Sequence, residues 1–127
     1  MKTNKEFIIE YCNALSGNPK TEELLDKYIS DKDPELKGHI ILFEGALPCY
    51  EFIPEDVIAE GNKVMVRFLV KGKHEGFLFG YNPTGNEVKI TGIIVYEVAD
   101  NKIVNHWMQA DSVGLIEQIS KPAFVMN

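Results

Sequence analysis

The sequence is poor in positive charge and contains no long apolar run. Lys and Arg together number 13 against 19 Asp and Glu, which gives a formal net charge of −6 over 127 residues. Binding to a phosphate backbone requires clustered cations, and the densest basic group, Lys71, Lys73 and His74, is followed at once by Glu75. We therefore expect no nucleic-acid partner, and instead a neutral or weakly polar organic ligand.

The sequence also lacks the motifs of several large enzyme classes. It has two cysteines, Cys12 and Cys49, which fit no metal-ligand spacing, and it has no dinucleotide glycine fingerprint, phosphate loop or serine nucleophile elbow. An enzyme of this sequence is expected to use acid/base chemistry without metal or cofactor. The few cysteines, the charged N-terminus and the short apolar stretches predict a cytoplasmic protein that neither enters nor crosses a membrane.

The length predicts a single domain over residues 1–127, with a folded core over 1–120 and a tail over 121–127. Three helix starts occur in the first part of the chain. Thr3 and Glu6 have the spacing of a capping box, and both Asn18-Pro19 and Asp33-Pro34 place a capping residue before a proline. Apolar residues at helical spacing follow each start.

From Asp56 the apolar period changes from about 3.6 to 2, which indicates strands. Gly61-Asn62 predicts a two-residue hairpin, and Gly72 and Gly76 predict a bend or bulge in the strand that follows. A short last helix is expected over 113–119. Helices first and a bent antiparallel sheet afterwards predict an α+β fold in which the sheet wraps around the helices.

The turn between the last two predicted strands, at Ala99 to Lys102, allows two registers. A three-residue loop with Asn101 in the left-handed region, which we prefer, pairs Val98 with Lys102 and places Asp111 opposite Lys89. A two-residue loop pairs Ala99 with Lys102 and places Asp111 opposite Ile90.

In the preferred register, one face of these strands mixes polar and apolar residues. Such a mixture is typical of a lined pocket, so this face is expected to surround a cavity. It carries the odd-numbered residues Thr91, Ile93, Val95, Glu97, Ile103, Asn105, Trp107, Gln109 and Asp111. The more apolar even face carries Ile90, Ile94, Tyr96, Val104, His106 and Met108.

The last two thirds of the chain resemble the SnoaL-like polyketide cyclases. The resemblance rests on His-x-Gly-x-x-x-Gly-x-x-Pro-Thr-Gly-x-x-Val from His74 to Val88, then on Lys-Ile-Val-x-x-Trp-x-x-x-Asp from Lys102 to Asp111, and finally on Gly-Leu-x-x-Gln-Ile from Gly114 to Ile119. Asn82 departs from the usual Pro-Pro-Thr-Gly, and Asn105 stands where Glu is common.

The resemblance implies a cone-shaped α+β barrel of the nuclear transport factor 2-like, or cystatin-like, type, with a cavity at its open end. It also implies that Asp111 is the general acid/base of an intramolecular aldol ring closure that uses no cofactor. His74 matches a family position from which it could orient or donate to a ligand. Tyr11 could point its hydroxyl into the cavity, as a helix tyrosine does in related cyclases.

The residues allow structural alternatives for each candidate. His74 could be a satisfied structural residue, Tyr11 is expected to pack in the core with a satisfied hydroxyl, Glu97 could be a strand-end charge in water, and Trp107 could be plain core, buried in either role. Asp111 precedes the last helix and could simply cap it. Gln109, Asn105 and Trp107 could donate hydrogen bonds to a ligand or enolate oxygen, and Glu97 could supply a second carboxylate. His106 is expected to be structural or at a subunit interface, and nothing in the sequence recommends His39.

Three functions are compatible with these observations. The first is a small cofactor-independent cyclase or isomerase with Asp111 as acid/base. The second is a module of the same fold that binds a small apolar ligand without chemistry. The third is a dimerisation protein whose apolar even face is the functional surface. A homodimer is expected under each.

Overall fold

Three helices precede a four-stranded antiparallel sheet, and a fourth helix follows it, in the computed structural model, which describes residues 2–122. Residues 123–127 of the predicted tail lie outside the described residues. The elements are α1 (Asn4–Leu15), α2 (Glu22–Asp26), α3 (Pro34–Ala46), β1 (Glu51–Glu60), β2 (Lys63–Lys73), β3 (Glu87–Ala99), β4 (Lys102–Ala110) and α4 (Ser112–Ser120). The strands lie in the order β1-β2-β3-β4, which confirms the predicted α+β class.

The ends of the helices follow their capping residues. Thr3 and Glu6 form the predicted capping box of α1. Asp33 caps α3, with Pro34 in its first turn, as expected. The predicted start of the second helix at Asn18-Pro19 is wrong, because the side-chain amide Nδ2 of Asn18 donates to the Ala14 carbonyl oxygen and so closes the end of α1. Thr21 caps α2 instead.

The sheet begins earlier than the sequence indicated. β1 starts at Glu51, and Pro54 is tolerated because β1 is an edge strand whose register shifts just after this residue. The hairpin at Gly61-Asn62 is confirmed by the pairing of Glu60 with Lys63.

Of the two possibilities predicted at Gly72, a bend or a bulge, the bulge is absent, since the β2–β3 register runs through this residue unbroken. Gly72 instead makes room for helix-side neighbours: a Cβ there would lie 3.0 Å from Cβ of Leu47 and 3.2 Å from Cβ of Tyr50. Gly76 lies beyond the strand, where a Cβ would come within 2.1 Å of the Gly45 carbonyl oxygen.

The β3–β4 turn contradicts the preferred register. Asp100 and Asn101 both have positive φ, 51° and 58°, as a two-residue type I′ turn requires, and Ala99 pairs with Lys102. Val104 is then left unpaired in a bulge, because Val98 pairs with Ile103 and Glu97 with Asn105. The bulge shifts the register by one residue, so Asp111 donates its backbone N–H to the Thr91 carbonyl oxygen at 3.0 Å.

The prediction that the odd-numbered face surrounds the cavity is also wrong. Even-numbered residues of β2 and β3 are buried against the helices, and the odd-numbered residues of β3 face outward or are partly covered. The reason is the composition of the even face, whose apolar side chains form the core together with α1 and α3. Its buried members on β3 are Val88, Ile90, Ile94, Tyr96 and Val98. The apolar even face, which the dimerisation hypothesis took as the partner surface, is therefore buried in the protein core.

None of the helices in the described part of the chain has the length and apolar content needed to span a bilayer.

Candidate active-site cavity

The helices and the inner face of the sheet enclose a cavity of about 270 Å³. Its walls are mainly aromatic and aliphatic, because the buried stripe of α3 faces the even residues of β2 and β3 across it. Helix α1 supplies Tyr11, and the final residues of β4 with the start of α4 supply Gln109, Asp111 and Ser112. An apolar hollow with few polar groups is the usual form of a small-molecule site.

Asp111 lies at the junction between β4 and α4, where it is exposed to solvent and is one of the residues that line the cavity. The carboxylate Oδ1 accepts a hydrogen bond from the Gly114 amide at 2.9 Å, so Asp111 is also the N-cap of α4. Gly114 leaves the carboxylate this space, since a Cβ there would lie 2.2 Å from Oδ2. Capping and cavity lining are thus combined in one residue, and the cap fixes the direction of the carboxylate.

Two buried tyrosines are among the residues that line the cavity. Tyr11 and Tyr96 are buried and their rings meet edge to face, with centroids 5.5 Å apart. Burial raises the pKa of both hydroxyls well above 10, so both stay protonated as hydrogen-bond donors. The resemblance allowed Tyr11 a place at the cavity and the residues favoured core packing; Tyr11 is both buried and one of the residues that line the cavity.

His74 is not among the residues that line the cavity. It is fully buried, and it holds the chain after β2 in place: its Nδ1 lies 3.0 Å from Oγ1 of Thr84 and accepts the Thr84 amide at 3.3 Å. Its backbone carbonyl accepts the Gly85 amide, and its amide donates to the Asn86 carbonyl oxygen. His74 therefore supports the segment that brings Phe79 to the cavity.

Three residues expected at the cavity lie on the outer face. Trp107 is 49% exposed and pairs across the sheet with Val95, with the Lys63 ammonium 5.8 Å from its ring centroid. Glu97 and Asn105 pair with each other on the same face. The bulge preserves the predicted grouping of these odd residues, but that grouping faces away from the hollow.

Several cavity residues were not predicted from the sequence. Among them, His39 carries an imidazole, which can donate or accept a hydrogen bond. His39 lines the cavity from α3 beside Leu36, Ile40 and Phe43. The signal was present, because position 39 lies on the same helical stripe at i+3 from Leu36. Burial, and then the charge of His106, lower the pKa of His39 from its usual 6.5, with a smaller opposing effect of Glu35. The imidazole is therefore neutral at physiological pH.

His106 lies on the inner side of β4 and pairs with a capping carboxylate. Its Nδ1 is 2.7 Å from Oδ2 of Asp33, whose other oxygen accepts the Leu36 amide at the start of α3. This pair ties β4 to α3, which confirms the structural role expected for His106. No group of three or more His, Cys, Asp or Glu within residues 2–122 is arranged to hold a metal ion.

Comparison with known proteins identifies relatives of this fold. The family model described as SnoaL-like polyketide cyclase matches residues 42–119. No curated protein sequence gives a significant match. AclR from Streptomyces galilaeus, a provisional hydroxylase, superposes with a TM-score of 0.81 at 21% identity, covering 97% of this chain and 84% of its own.

Two further solved structures are similar. TsrD from Streptomyces laurentii has a TM-score of 0.79 at 16% identity, covering 93% of this chain and 98% of its own. A provisional polyketide cyclase from Acidithiobacillus ferrooxidans has a TM-score of 0.78 at 21% identity, covering 94% of this chain and 96% of its own. At these identities the likeness establishes the fold.

Proposed function

The chain belongs to the SnoaL-like polyketide cyclase family, and from this premise we propose that it is a cofactor-independent enzyme of the cyclase or isomerase type. Asp111 is its general acid/base, and the substrate is a small organic carbonyl compound held in the cavity. The observation that carries this proposal is the position of Asp111, an exposed residue that lines the apolar hollow and whose carboxylate is oriented by a backbone amide.

The chemistry needs a base next to a carbon and a donor next to an oxygen. Asp111 takes a proton from the carbon beside a carbonyl, and the electron pair of that C–H bond delocalises onto the oxygen as an enolate. In a ring closure, the enolate carbon then bonds to a second carbonyl carbon, whose oxygen takes up a proton. In an isomerisation, the proton returns to a different carbon. Gln109 at the mouth and Tyr11 within are candidate donors to the substrate.

The dimensions of the cavity restrict the substrate. A volume of about 270 Å³ lies just below the roughly 300–1,000 Å³ found for small-molecule pockets. Together with its largely apolar walls, this favours a compact ligand of one or two rings over a large multiring polyketide. Phe43 and Phe79, which meet edge to face at 5.9 Å, provide flat surfaces for such a ring.

The experiment is hydrogen exchange on a ketone panel in deuterated water, followed by NMR, with 2-tetralone, acetophenone and cyclohexanone as substrates. We expect the wild type to exchange the protons beside the carbonyl of at least one ketone, and Asp111→Asn to lose this activity. Asp100→Asn is the matched control, because it makes the same change at the opposite end of β4, where Asn also accepts positive φ. Equal exchange by wild type and Asp111→Asn would remove Asp111 from the mechanism.

A second candidate is a ligand-binding module of the same fold without chemistry. It is favoured by the capping bond of Asp111, which gives this residue a structural reason to be present. Under this alternative the wild type binds the ketones but exchanges none of them.

We also infer a homodimer formed through the outer face of the sheet. One row of paired residues there is apolar across all four strands, Ile58 with Met65, Val95 and Trp107. Ile58 is 60% and Trp107 49% exposed in the single chain, and such a continuous apolar row favours a partner. This assigns Trp107, and with it Glu97 and Asn105, to the interface instead of the cavity.

Sedimentation equilibrium tests the dimer. Val95→Lys, at the centre of the row, should shift the protein towards monomer, whereas Ile41→Lys on the exposed side of α3 should not. A wild type that stays monomeric at high micromolar concentration would refute the interface.

The free thiols of Cys12 and Cys49 support a reducing, cytoplasmic location.

A further inference from the structure

We propose that His39 binds the oxygen of the ligand that occupies the cavity, acting from the α3 wall as a neutral hydrogen-bond donor. This inference deepens the proposed function and rests on it for the enolate chemistry. In that reaction the imidazole N–H donates to the carbonyl oxygen while the proton beside the carbonyl passes to Asp111. The imidazole keeps its own proton throughout, and the charge develops on the substrate oxygen.

The first reason is placement. His39 borders the cavity on α3, whereas Asp111 borders it from the β4–α4 junction, so a ligand between these elements can reach both. Removal of a proton beside a carbonyl requires this division, with the base at the carbon and a donor at the oxygen.

The second reason is that His39 has hydrogen-bonding capacity to spare. Neither ring nitrogen of His39 has a hydrogen-bond partner among the side chains and backbone of residues 2–122. In His74 and His106 one nitrogen, Nδ1, is bonded, to Thr84 and Asp33, while Nε2 of His74 is buried without a partner. The ring is nevertheless held in place, since it lies against the Phe43 ring with centroids 4.6 Å apart. A fixed ring with a free N–H is a preorganised donor.

The third reason is its charge. The titratable groups that act on the ring are His106 and Glu35, the latter on the same helix. Nδ1 of His106 in turn lies 2.7 Å from Oδ2 of Asp33. Burial and His106 together outweigh Glu35 and lower the pKa of His39, so the ring is neutral near pH 7. A neutral imidazole can polarise a carbonyl oxygen, and it competes with no carboxylate for the substrate proton.

The kinetic test compares His39→Phe and His39→Gln with the wild type in the ketone exchange assay. His39→Phe keeps an aromatic ring against Phe43 but removes the donor, and its kcat should fall about 100-fold or more with KM changed less than about five-fold. His39→Gln restores a donor and should recover part of the loss. Where the wild type exchanges a ketone and Asp111→Asn does not, an unchanged kcat in His39→Phe overturns the role of His39 and leaves the proposed function standing.

A binding test decides the matter if the wild type exchanges no ketone. The probe is 2-naphthol, whose hydroxyl resembles an enol, titrated into protein carrying ¹⁵N-labelled histidine. The ring resonances that vanish in His39→Phe should shift on binding while those of His74 stay, and His39→Phe should weaken binding about five-fold or more. Binding without a shift of the His39 resonances, or no binding at millimolar naphthol, would overturn the proposal.

Discussion

Substitution of Gly114 by alanine tests how tightly the Asp111 carboxylate is held over α4. A Cβ at position 114 would lie 2.2 Å from Oδ2, 2.8 Å from Cγ and 3.1 Å from Oδ1 of Asp111, so the three nearest atoms all belong to that carboxylate. The carboxylate must turn away, and the cap it forms with the Gly114 amide is lost.

Two opposing effects set the magnitude. Loss of an Asp cap costs about 0.5–2 kcal/mol of stability, whereas Ala in place of Gly within a helix contributes up to about 1 kcal/mol. In the wild type, Gly114→Ala should therefore have an effect between a stabilisation of about 0.5 kcal/mol and a destabilisation of about 1.5 kcal/mol. In an Asp111→Ala background there is no carboxylate to displace, and the same substitution should stabilise by about 0.5–1 kcal/mol.

Urea unfolding of the four proteins in this double-mutant cycle measures the coupling between the two substitutions, which should equal the lost cap, about 0.5–2 kcal/mol. With a slope of about 2 kcal/mol per molar urea, a 1 kcal/mol change moves the midpoint by about 0.5 M. A coupling near zero, with Gly114→Ala equally stabilising or destabilising in both backgrounds, would refute the claim that the carboxylate rests above the first turn of α4.

Other consequences concern the thiols and the close contact between β3 and β4. Burial raises the pKa of the Cys12 thiol to about 12. At pH 8, Ellman's reagent should therefore react with one thiol of the native protein, that of exposed Cys49, and with both thiols in urea. Two reactive thiols in the native protein would contradict the buried position of Cys12. Gly92→Ala should destabilise by at least about 2 kcal/mol, because its Cβ would lie 2.6 Å from both the Gln109 carbonyl oxygen and Cζ of Phe68. Gly38→Ala, with nothing within 4 Å of its Cβ, is the control and should be neutral or stabilising. An equal response of the two variants would show that the approach at Gly92 is not close.

Local signals in the sequence predicted the elements well where the chemistry is local. The capping box at Thr3, the cap and proline at Asp33-Pro34 and the hairpin at Gly61 each depend on a few neighbouring residues, and each is found. Asn18 failed as a start signal because the same side chain can close the preceding helix, and sequence alone does not rank these two uses.

The direction in which the sheet faces was harder to predict. The alternation of side chains along a strand correctly placed Trp107 and Val95 on the same face of the sheet. This alternation does not indicate which of the two faces is buried. The polarity of the odd face suggested a lined pocket, whereas the cavity is bounded by the apolar even face and receives its polar groups mainly from helices and strand ends. His39 was overlooked for the same reason, since its position at the cavity depends on the sheet that α3 faces.

The rate of deuterium incorporation beside the carbonyl of 2-tetralone, at saturating ketone, tests most directly whether Asp111 moves a proton in the cavity. General acid/base catalysis contributes about 10²–10⁴-fold, so Asp111→Asn should lose about that factor while its midpoint of unfolding stays close to that of the wild type, because Asn caps a helix as well as Asp. Exchange at the wild-type rate in a folded Asp111→Asn protein would contradict the account.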